Sequence, residues 1–172
     1  KGPSVMAGYF TDRETTERVL LGDGWLETGD LGYLVDDSLL ITGRAKDLII
    51  FNGRNIWPQD IEWAVDRLEG VRRGDVAAFS LSSPGEGESV VVVVQCRISD
   101  AERRERLQTE IRATVRRTVG VDCEVVLAPS RSLPLTSSGK LSRTWTRENY
   151  LSGKYSNDEQ ADDDGDNAAP NS

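Results

Sequence analysis

The apolar positions that follow residue 57 predict an amphipathic helix. Pro58 suits its first turn, where the missing N–H costs no hydrogen bond, and Asp60 and Glu62 lie where the helix dipole favours negative charge. Gly70 is the predicted end of this helix. The apolar residues recur at the i, i+3, i+4, i+7 spacing of one buried stripe, formed by Ile61, Ala64, Val65 and Leu68.

Further along the chain, apolar runs predict a small sheet. Residues 76–81 and 90–98 are expected to pair as strands around a turn at residues 84–87, and residues 122–128 to form a last strand. The unbroken valines at 90–94 indicate an interior strand covered on both faces, because a strand with one solvated face alternates apolar and polar residues.

Two more helices are predicted on either side of that last strand. Asp100 is placed to cap the first of them, and a short C-terminal helix at residues 143–150 follows a loop at residues 129–140. Arg and Glu residues occupy the outer face of the longer helix. Its predicted inward positions are Leu107, Ile111 and Val115.

The first third of the chain holds shorter signals. Residues 31–35 and 39–42 predict a hairpin around residues 36–38, and a short strand at 48–51 is followed by an Asn-Gly turn at 52–53. The order strand, helix, strand, strand, helix, strand predicts a small two-layer α+β domain, preceded by part of another structure.

Charge and composition narrow the class of protein. The formal net charge is −8, but residues 157–172 hold six acids and no Lys or Arg, which predicts a disordered, solubilising tail. The rest is close to neutral, so a nucleic-acid partner is not expected. The apolar runs are too short to cross a bilayer, and no signal peptide is visible.

Histidine and cysteine usage restricts the chemistry. The chain has no histidine, which excludes histidine-based nucleophilic schemes and histidine-ligated metals. Any chemistry must therefore use carboxylates, Arg, Lys and backbone dipoles. Cys96 and Cys123 lie in separate apolar runs without a CxxC pair, so we expect reduced, buried thiols and no zinc site.

Three segments carry candidate chemistry: TGD at 28–30, GRAKDLIIFNGRNIWPQDIE at 43–62 and PLTSSGK at 134–140. The last lacks the glycine and Ser/Thr positions of a Walker A loop, and alone it favours a flexible surface turn over a functional loop. Together and in this order, with GPSVMAGY at 2–9 upstream, they resemble the adenylate-forming superfamily. That superfamily contains acyl-CoA synthetases, fatty acyl-AMP ligases, nonribosomal-peptide adenylation domains and luciferases.

The resemblance implies a domain organisation. Residues 1–43 are expected to be the end of a large N-terminal domain, here a β-strand fragment, and residues 44–155 a mobile C-terminal lid. The lid would hold a short β-sheet and about three helices, followed by the acidic tail at 156–172. The expected partner of the lid is therefore the large domain of the same protein.

The resemblance also assigns site residues. Asp30 matches the aspartate that accepts hydrogen bonds from both ribose hydroxyls of ATP, although it also suits a plain hairpin turn. Arg44 matches a nucleotide-contacting arginine, with a surface salt bridge as its alternative. Lys140 matches the catalytic lysine, whose ammonium stabilises charge on the phosphoryl oxygens when a carboxylate attacks the α-phosphate.

A hinge and a second loop follow from the same resemblance. Lys46 occupies the hinge position, which lets the lid rotate between two poses, one for adenylation and one for acyl transfer. Gly53 and Arg54 lie in the loop expected to approach the pantetheine arm during transfer. Gly53 is equally explained by the left-handed backbone that an Asn-Gly turn requires.

Within the superfamily, the segment GRNIWPQDIE at 53–62 is closer to fatty acyl-AMP ligases than to acyl-CoA synthetases. The implied activity joins fatty acid and ATP into acyl-AMP and pyrophosphate, then transfers the acyl group to the phosphopantetheine thiol of an acyl carrier protein. An acyl-CoA synthetase, with CoA as acceptor, is the first alternative. A non-catalytic module that binds carrier proteins through the same fold is the second.

ATP and Mg²⁺ would be bound mainly by the large domain, and no metal ligand is expected in this chain. The fragment alone is expected to be inactive, and the reduced cysteines fit a cytoplasmic enzyme. The tryptophans at 57, 63 and 145 are expected to pack rather than to bind ligand. One helix face could dock a carrier protein or form solvated ion pairs through Arg103, Arg104, Arg106, Arg112, Arg116 and Arg117.

Overall fold

The computed structural model describes residues 1–83 and 87–155 of the 172-residue chain. These residues belong to two compact units, Lys1–Leu48 and Ile49–Ser172. Residues 84–86, at the tip of the predicted turn, and the acidic segment 156–172 lie outside the described residues.

The first unit is built from short elements. Its hairpin follows the prediction: β3 and β4 pair antiparallel and are joined by Asp36 and Asp37. Both aspartates have left-handed φ angles, 42° and 63°, which suit a two-residue hairpin turn. The elements are helix α1 (Arg13–Val19), β1 (Leu20–Leu21), β2 (Trp25–Leu26), β3 (Asp30–Val35), β4 (Ser38–Arg44) and a 3-10 helix (Ala45–Asp47).

The second unit contains the predicted α+β domain. A three-stranded sheet has the order β7-β8-β9, with β7 and β8 antiparallel and β8 and β9 parallel, and a separate hairpin pairs β5 with β6. The elements are β5 (Ile49–Phe51), β6 (Arg54–Ile56), α2 (Pro58–Val65), β7 (Val76–Ser83), β8 (Gly87–Gln95), α3 (Ala101–Val119), β9 (Glu124–Ala128) and α4 (Arg143–Leu151).

The central strand β8 is covered on both faces, which confirms the interpretation of the valine run. Val90, Val92 and Val94 belong to a core with helices α2 and α3 and the β5–β6 hairpin. Val91 and Val93 belong to a second core on the other face, where the segment after β9 and helix α4 pack. All five valines are at most 1% exposed, because side chains alternate between the two faces.

The predicted starts of the helices agree with the structure, but the predicted end of one helix does not. Asp100 caps α3 as predicted, and its carboxylate accepts a 2.8 Å hydrogen bond from the N–H of Arg103. Helix α2 ends at Val65, before the predicted Gly70. The single N–H of Gly74 is shared between the two Asp66 carboxylate oxygens, at 3.2 and 3.3 Å, and this contact stabilises the turn that follows the helix.

Candidate functional site

The two predicted nucleotide-binding residues lie opposite each other. Asp30 starts β3, Arg44 ends β4, and they are direct cross-strand partners. Arg44 Nε lies 3.3 Å from Asp30 Oδ1, while the side chains remain 57% and 31% exposed, respectively. The structure therefore contains the surface salt bridge considered as an alternative for Arg44. Such an exposed pair contributes little to stability, and it leaves both groups accessible to a ligand.

The backbone before Asp30 explains its position. The Asp30 N–H donates to Thr28 Oγ1 at 3.1 Å, and Gly29 has a left-handed φ of 72°. The Gly29 carbonyl accepts a 2.9 Å hydrogen bond from the N–H of Ala45. The TGD segment is thus a hydrogen-bonded turn that places the carboxylate at the end of the hairpin.

Lys46 lies in the short 3-10 helix Ala45–Asp47, and its side chain is exposed. The chain divides into its two compact units between Leu48 and Ile49, just after this helix. The Leu48 N–H donates to the Ala45 carbonyl at 3.3 Å, near the upper limit for a backbone hydrogen bond. Lys46, the predicted hinge position, lies two residues before Leu48, the last residue of the first unit.

The Asn52-Gly53 turn joins β5 and β6. Both residues are left-handed, with φ of 49° and 72°, so Gly53 meets the conformational demand of the turn. The space where a Gly53 Cβ would lie is open, with no heavy atom within 4 Å. Open space at this position leaves the backbone accessible to a thin ligand.

Two side-chain contacts hold this turn. The N–H of Asn52 donates a 2.7 Å hydrogen bond to Glu88 Oε2 on β8. Arg54 Nη2 donates to the Val119 carbonyl at 3.1 Å, at the C-terminal end of α3. The helix dipole favours a cation there, so Arg54 has a structural contact in addition to its predicted role in acyl transfer.

The loop that carries Lys140 is closed by backbone hydrogen bonds. The N–H of Thr136 donates to the Lys140 carbonyl at 2.7 Å, and the N–H of Gly139 donates to the Thr136 carbonyl at 2.8 Å. Below them, the N–H of Ser142 donates to the Pro134 carbonyl at 3.0 Å. The loop is thus a defined hairpin with an exposed lysine near its tip.

The base of this loop is attached to the rest of the domain by an ion pair that the sequence analysis did not identify. Arg143, the first residue of α4, donates from Nε and Nη2 to the two Glu62 oxygens at 2.7 and 2.6 Å. Glu62 was interpreted only as a first-turn acid. One available signal was its position three residues before Val65 of the predicted apolar stripe, where a charged side chain near the buried face requires a partner.

A groove of about 380 Å³ lies beside Lys140. Trp63, Asp66, Arg73 and Arg143 contribute to its walls. Burial raises the pKa of the Asp66 carboxyl above its usual value. The groove thus mixes both signs of charge with one aromatic face.

The arginines of α3 divide by role. Arg104 donates to the carbonyls of Ile98 and Leu127, both at 3.3 Å, and therefore links the helix to neighbouring backbone. Arg106 forms a highly exposed ion pair with Glu102 at 3.0 Å. The Arg106–Glu102 contact is the kind of solvated ion pair considered for this helix face, whereas Arg104 is part-buried against backbone.

Both cysteines are free thiols. Cys96 is buried, and burial raises the pKa of the Cys123 thiol to about 11, so it stays protonated near neutrality. Within residues 1–83 and 87–155, no three His, Cys, Asp or Glu side chains gather in a way that would hold a metal ion. In the same described part, no helix has the length and apolarity needed to cross a membrane.

Comparisons with known proteins show which class of protein shares this fold and these loops. No family model matches the sequence. A Caulobacter vibrioides protein named as an acyl-CoA synthetase is 53% identical over 156 residues, covering 90% of this chain and 27% of that protein. A Mycobacterium leprae protein named as a fatty-acid–CoA ligase is 37% identical, with 90% and 29% covered.

Solved structures of adenylate-forming enzymes are also similar to this chain. A structure from a study of fatty acyl-adenylate ligases of E. coli and L. pneumophila has a TM-score of 0.79 and 43% identity, covering 90% of this chain and 27% of that one. McyG A-PCP, solved with phenylalanyl-adenylate, has a TM-score of 0.82 and 31% identity, covering 91% and 25%.

The chain is thus a homologue of adenylate-forming enzymes and has the α+β fold of their C-terminal domain. The two sequence relatives given above are named as an acyl-CoA synthetase and a fatty-acid–CoA ligase. The chain spans a little over a quarter of the length of these relatives, 27% and 29%.

Proposed function

We propose that this chain is the C-terminal lid of an ATP-dependent ligase that activates fatty acids. Residues 1–43 would close the large domain, residues 44–155 would form the lid, and Lys46 would be the hinge between them. The parent enzyme would make acyl-AMP and pyrophosphate, then transfer the acyl group to the phosphopantetheine thiol of an acyl carrier protein. The two free cysteines support a cytoplasmic location.

One observation carries the two-step proposal. The β5–β6 hairpin, which holds Gly53, packs on the face of the sheet that contains Val92. The loop of Lys140 is attached through Leu133 and Leu141 to the core on the opposite face. The two loops are thus anchored at different places: the Gly53 turn on the Val92 face, and the Lys140 loop on the opposite face and, through Arg143, at Glu62 of α2. Separate anchoring supports a lid with two working poses, one for each loop.

In the first step, a carboxylate oxygen of the fatty acid attacks the α-phosphorus while the bond to pyrophosphate breaks. Lys140 would place its ammonium against the phosphoryl oxygens, where charge grows, and one such contact contributes ~2.7–4 kcal/mol. Asp30 would accept hydrogen bonds from the ribose hydroxyls, and Arg44 would contact the nucleotide. Mg²⁺ would be bound mainly by the large domain, where it would neutralise charge on the triphosphate.

In the second step, the thiol sulfur attacks the acyl carbonyl of the adenylate, and AMP leaves. The turn at Gly53 would lie beside the pantetheine arm, where a residue without a side chain permits close approach. Arg54 would contribute to that loop by fixing its outgoing strand to the end of α3.

The test uses the full-length parent and separates the half-reactions. Pyrophosphate release with fatty acid and ATP measures adenylation, and thioester formation from preformed acyl-AMP measures transfer. Lys140→Ala should lower adenylation by about 10²–10³-fold and largely spare transfer. Equal losses in both half-reactions would refute the two-pose lid.

The acceptor is tested separately, because the relatives named above are CoA ligases. Full-length enzyme, fatty acid and ATP are incubated with either an acyl carrier protein bearing its phosphopantetheine or free CoA. Acyl carrier product without acyl-CoA supports the proposal, whereas ready formation of acyl-CoA favours the synthetase. If the parent releases no pyrophosphate with any fatty acid, the non-catalytic module is the better description.

A further inference from the structure

Arg143 and Glu62 form a largely enclosed ion pair. The guanidinium and the carboxylate meet through two parallel hydrogen bonds of 2.7 and 2.6 Å. Their side chains are only 20% and 12% exposed, respectively. This planar, two-point contact fixes orientation as well as distance, which a single hydrogen bond or a lysine would not do.

Glu62 is itself fixed on the sheet. Its Oε1 accepts a third hydrogen bond, at 3.1 Å, from the N–H of Ala78 on β7. Strand β7 is an edge strand of the β7-β8-β9 sheet, so this N–H points away from the ladder. Glu62 thus connects helix α2, the edge of the sheet and Arg143 through one carboxylate.

Arg143 lies only three residues after Lys140 in the sequence, directly after the end of the Lys140 loop. Ser142 caps α4 through its side chain and, through its N–H, binds the Pro134 carbonyl at the other end of the loop. Leu135 and Leu141 form an antiparallel bridge between these ends. The base of the loop therefore moves with the first residue of α4, and that residue is held by Glu62.

We infer that Glu62 and Arg143 are positioning residues for Lys140. They contact no reacting atom. They hold the base of the Lys140 loop at a fixed place beside β7, so that the ammonium reaches the α-phosphate in the adenylating pose. This inference rests on the proposed role of Lys140.

The experiment weakens the pair from each side in the full-length enzyme. Arg143→Lys keeps the charge but loses the two-point contact, and Glu62→Gln turns an NH₂ group toward the guanidinium. Arg147→Lys is the matched control, because Arg147 lies on the same helix and reaches the same strand, at Ser80, with a 3.4 Å contact. Thermal unfolding confirms that each variant is folded.

Each pair variant should lower the kcat of adenylation by about 10- to 100-fold, since a displacement of about 1 Å can have that effect. The KM for fatty acid and the rate of transfer from preformed acyl-AMP should stay within twofold. The Arg147→Lys control should match the wild type in both half-reactions.

Combination with Lys140→Ala separates positioning from general stability. If the pair acts through Lys140, Arg143→Lys should cause no further loss of adenylation in a Lys140→Ala enzyme. A further loss there, an equal loss in both half-reactions, or unchanged adenylation in folded pair variants would each overturn the inference. If Lys140→Ala alone leaves adenylation intact, the proposed function fails first, and that result is distinct from the others.

Discussion

The backbone N–H of Asn52 donates a 2.7 Å hydrogen bond to the Glu88 carboxylate, and this contact joins the Gly53 turn to strand β8. Glu88 lies two residues before Val90, so both side chains project from the same face of the sheet. The β5–β6 hairpin packs on that face. Glu88 therefore holds the proposed transfer loop as Glu62 holds the proposed adenylation loop.

Removing this contact should slow the second half-reaction. In the full-length enzyme, Glu88→Ala should lower the rate of transfer from preformed acyl-AMP by about 10-fold, because a turn that loses one hydrogen bond to a charged acceptor shifts from its productive position. Pyrophosphate release should stay within twofold of wild type. Glu88→Gln, which keeps an acceptor oxygen, is the control and should restore most of the transfer rate.

A fall in adenylation that equals the fall in transfer would contradict this assignment of Glu88. That result would mean that the Asn52–Glu88 contact supports the domain as a whole rather than one loop.

The Asp30–Arg44 pair leads to a prediction about ATP. Asp30→Asn in the full-length enzyme should raise the KM for ATP by about 10-fold or more, because a hydrogen bond to a charged group contributes roughly 1.5–3 kcal/mol. Thermal stability should change little, since the pair is exposed and worth at most about 1 kcal/mol. Steady-state kinetics with varied ATP, together with thermal unfolding, measures both quantities.

The control is an exposed ion pair in the same unit. Arg13 and Glu17 on α1 are 2.6 Å apart, and their side chains are 90% and 64% exposed. Glu17→Gln should leave both the KM for ATP and the stability unchanged. If Asp30→Asn behaves like Glu17→Gln, Asp30 is only a turn residue with a surface salt bridge.

The sequence predicted the elements whose signal is local. The valine run, the Asn-Gly turn and the Asp100 cap each depend on neighbouring residues, and the structure confirms all three. Helix α1 was missed because it buries no residue and therefore shows no apolar stripe. Its one local signal was Asp12, whose carboxylate accepts from the N–H of Thr15.

The residues of the candidate site likewise include a pair formed within one local hairpin and a pair formed only by tertiary packing. Asp30 and Arg44 are cross-strand partners in a local hairpin, but they meet only because the pairing register shifts between Leu31 and Gly32, which the apolar pattern did not predict. Glu62 and Arg143 are far apart in sequence, and their contact arises only when α2 and α4 pack beside β7. Neither residue carries a spacing signal for the other, so a single sequence did not reveal the pair.

A pH prediction concerns Tyr150 on α4. Its hydroxyl donates to Glu124 at 2.8 Å, and burial, this hydrogen bond and the nearby carboxylate charge raise the pKa of Tyr150 to about 12 from 10.0. The native state therefore keeps the proton that the unfolded chain loses above pH 10. The stabilisation is complete below that pH and is lost as pH rises toward 12.

Denaturant unfolding of the chain at a series of pH values from 8 to 12 tests this prediction. The free energy of unfolding should fall more steeply above pH 10 in the wild type than in Tyr150→Phe, which lacks the titrating hydroxyl. Lysines titrate in the same range in both proteins, so the difference between the two curves isolates Tyr150. Parallel curves would show that the phenol titrates alike in both states.

The last prediction separates two explanations of Gly53. Its φ of 72° strains any side chain except those that tolerate the left-handed region, and asparagine tolerates it best. Gly53→Ala should therefore destabilise the turn by about 1–2 kcal/mol, and Gly53→Asn by less. Both variants should fold, because the space beside Gly53 is open.

The transfer rate then decides between the explanations. If the backbone at Gly53 must lie against a pantetheine arm, Gly53→Asn should transfer the acyl group as slowly as Gly53→Ala, since each side chain fills the approach. If glycine serves only the turn, Gly53→Asn should regain wild-type transfer together with stability. Single-turnover thioester formation in the full-length enzyme, with pyrophosphate release as the internal control, distinguishes the two. We expect the first result, because an Asn-Gly turn held by both Glu88 and Arg54 presents its open side to solvent.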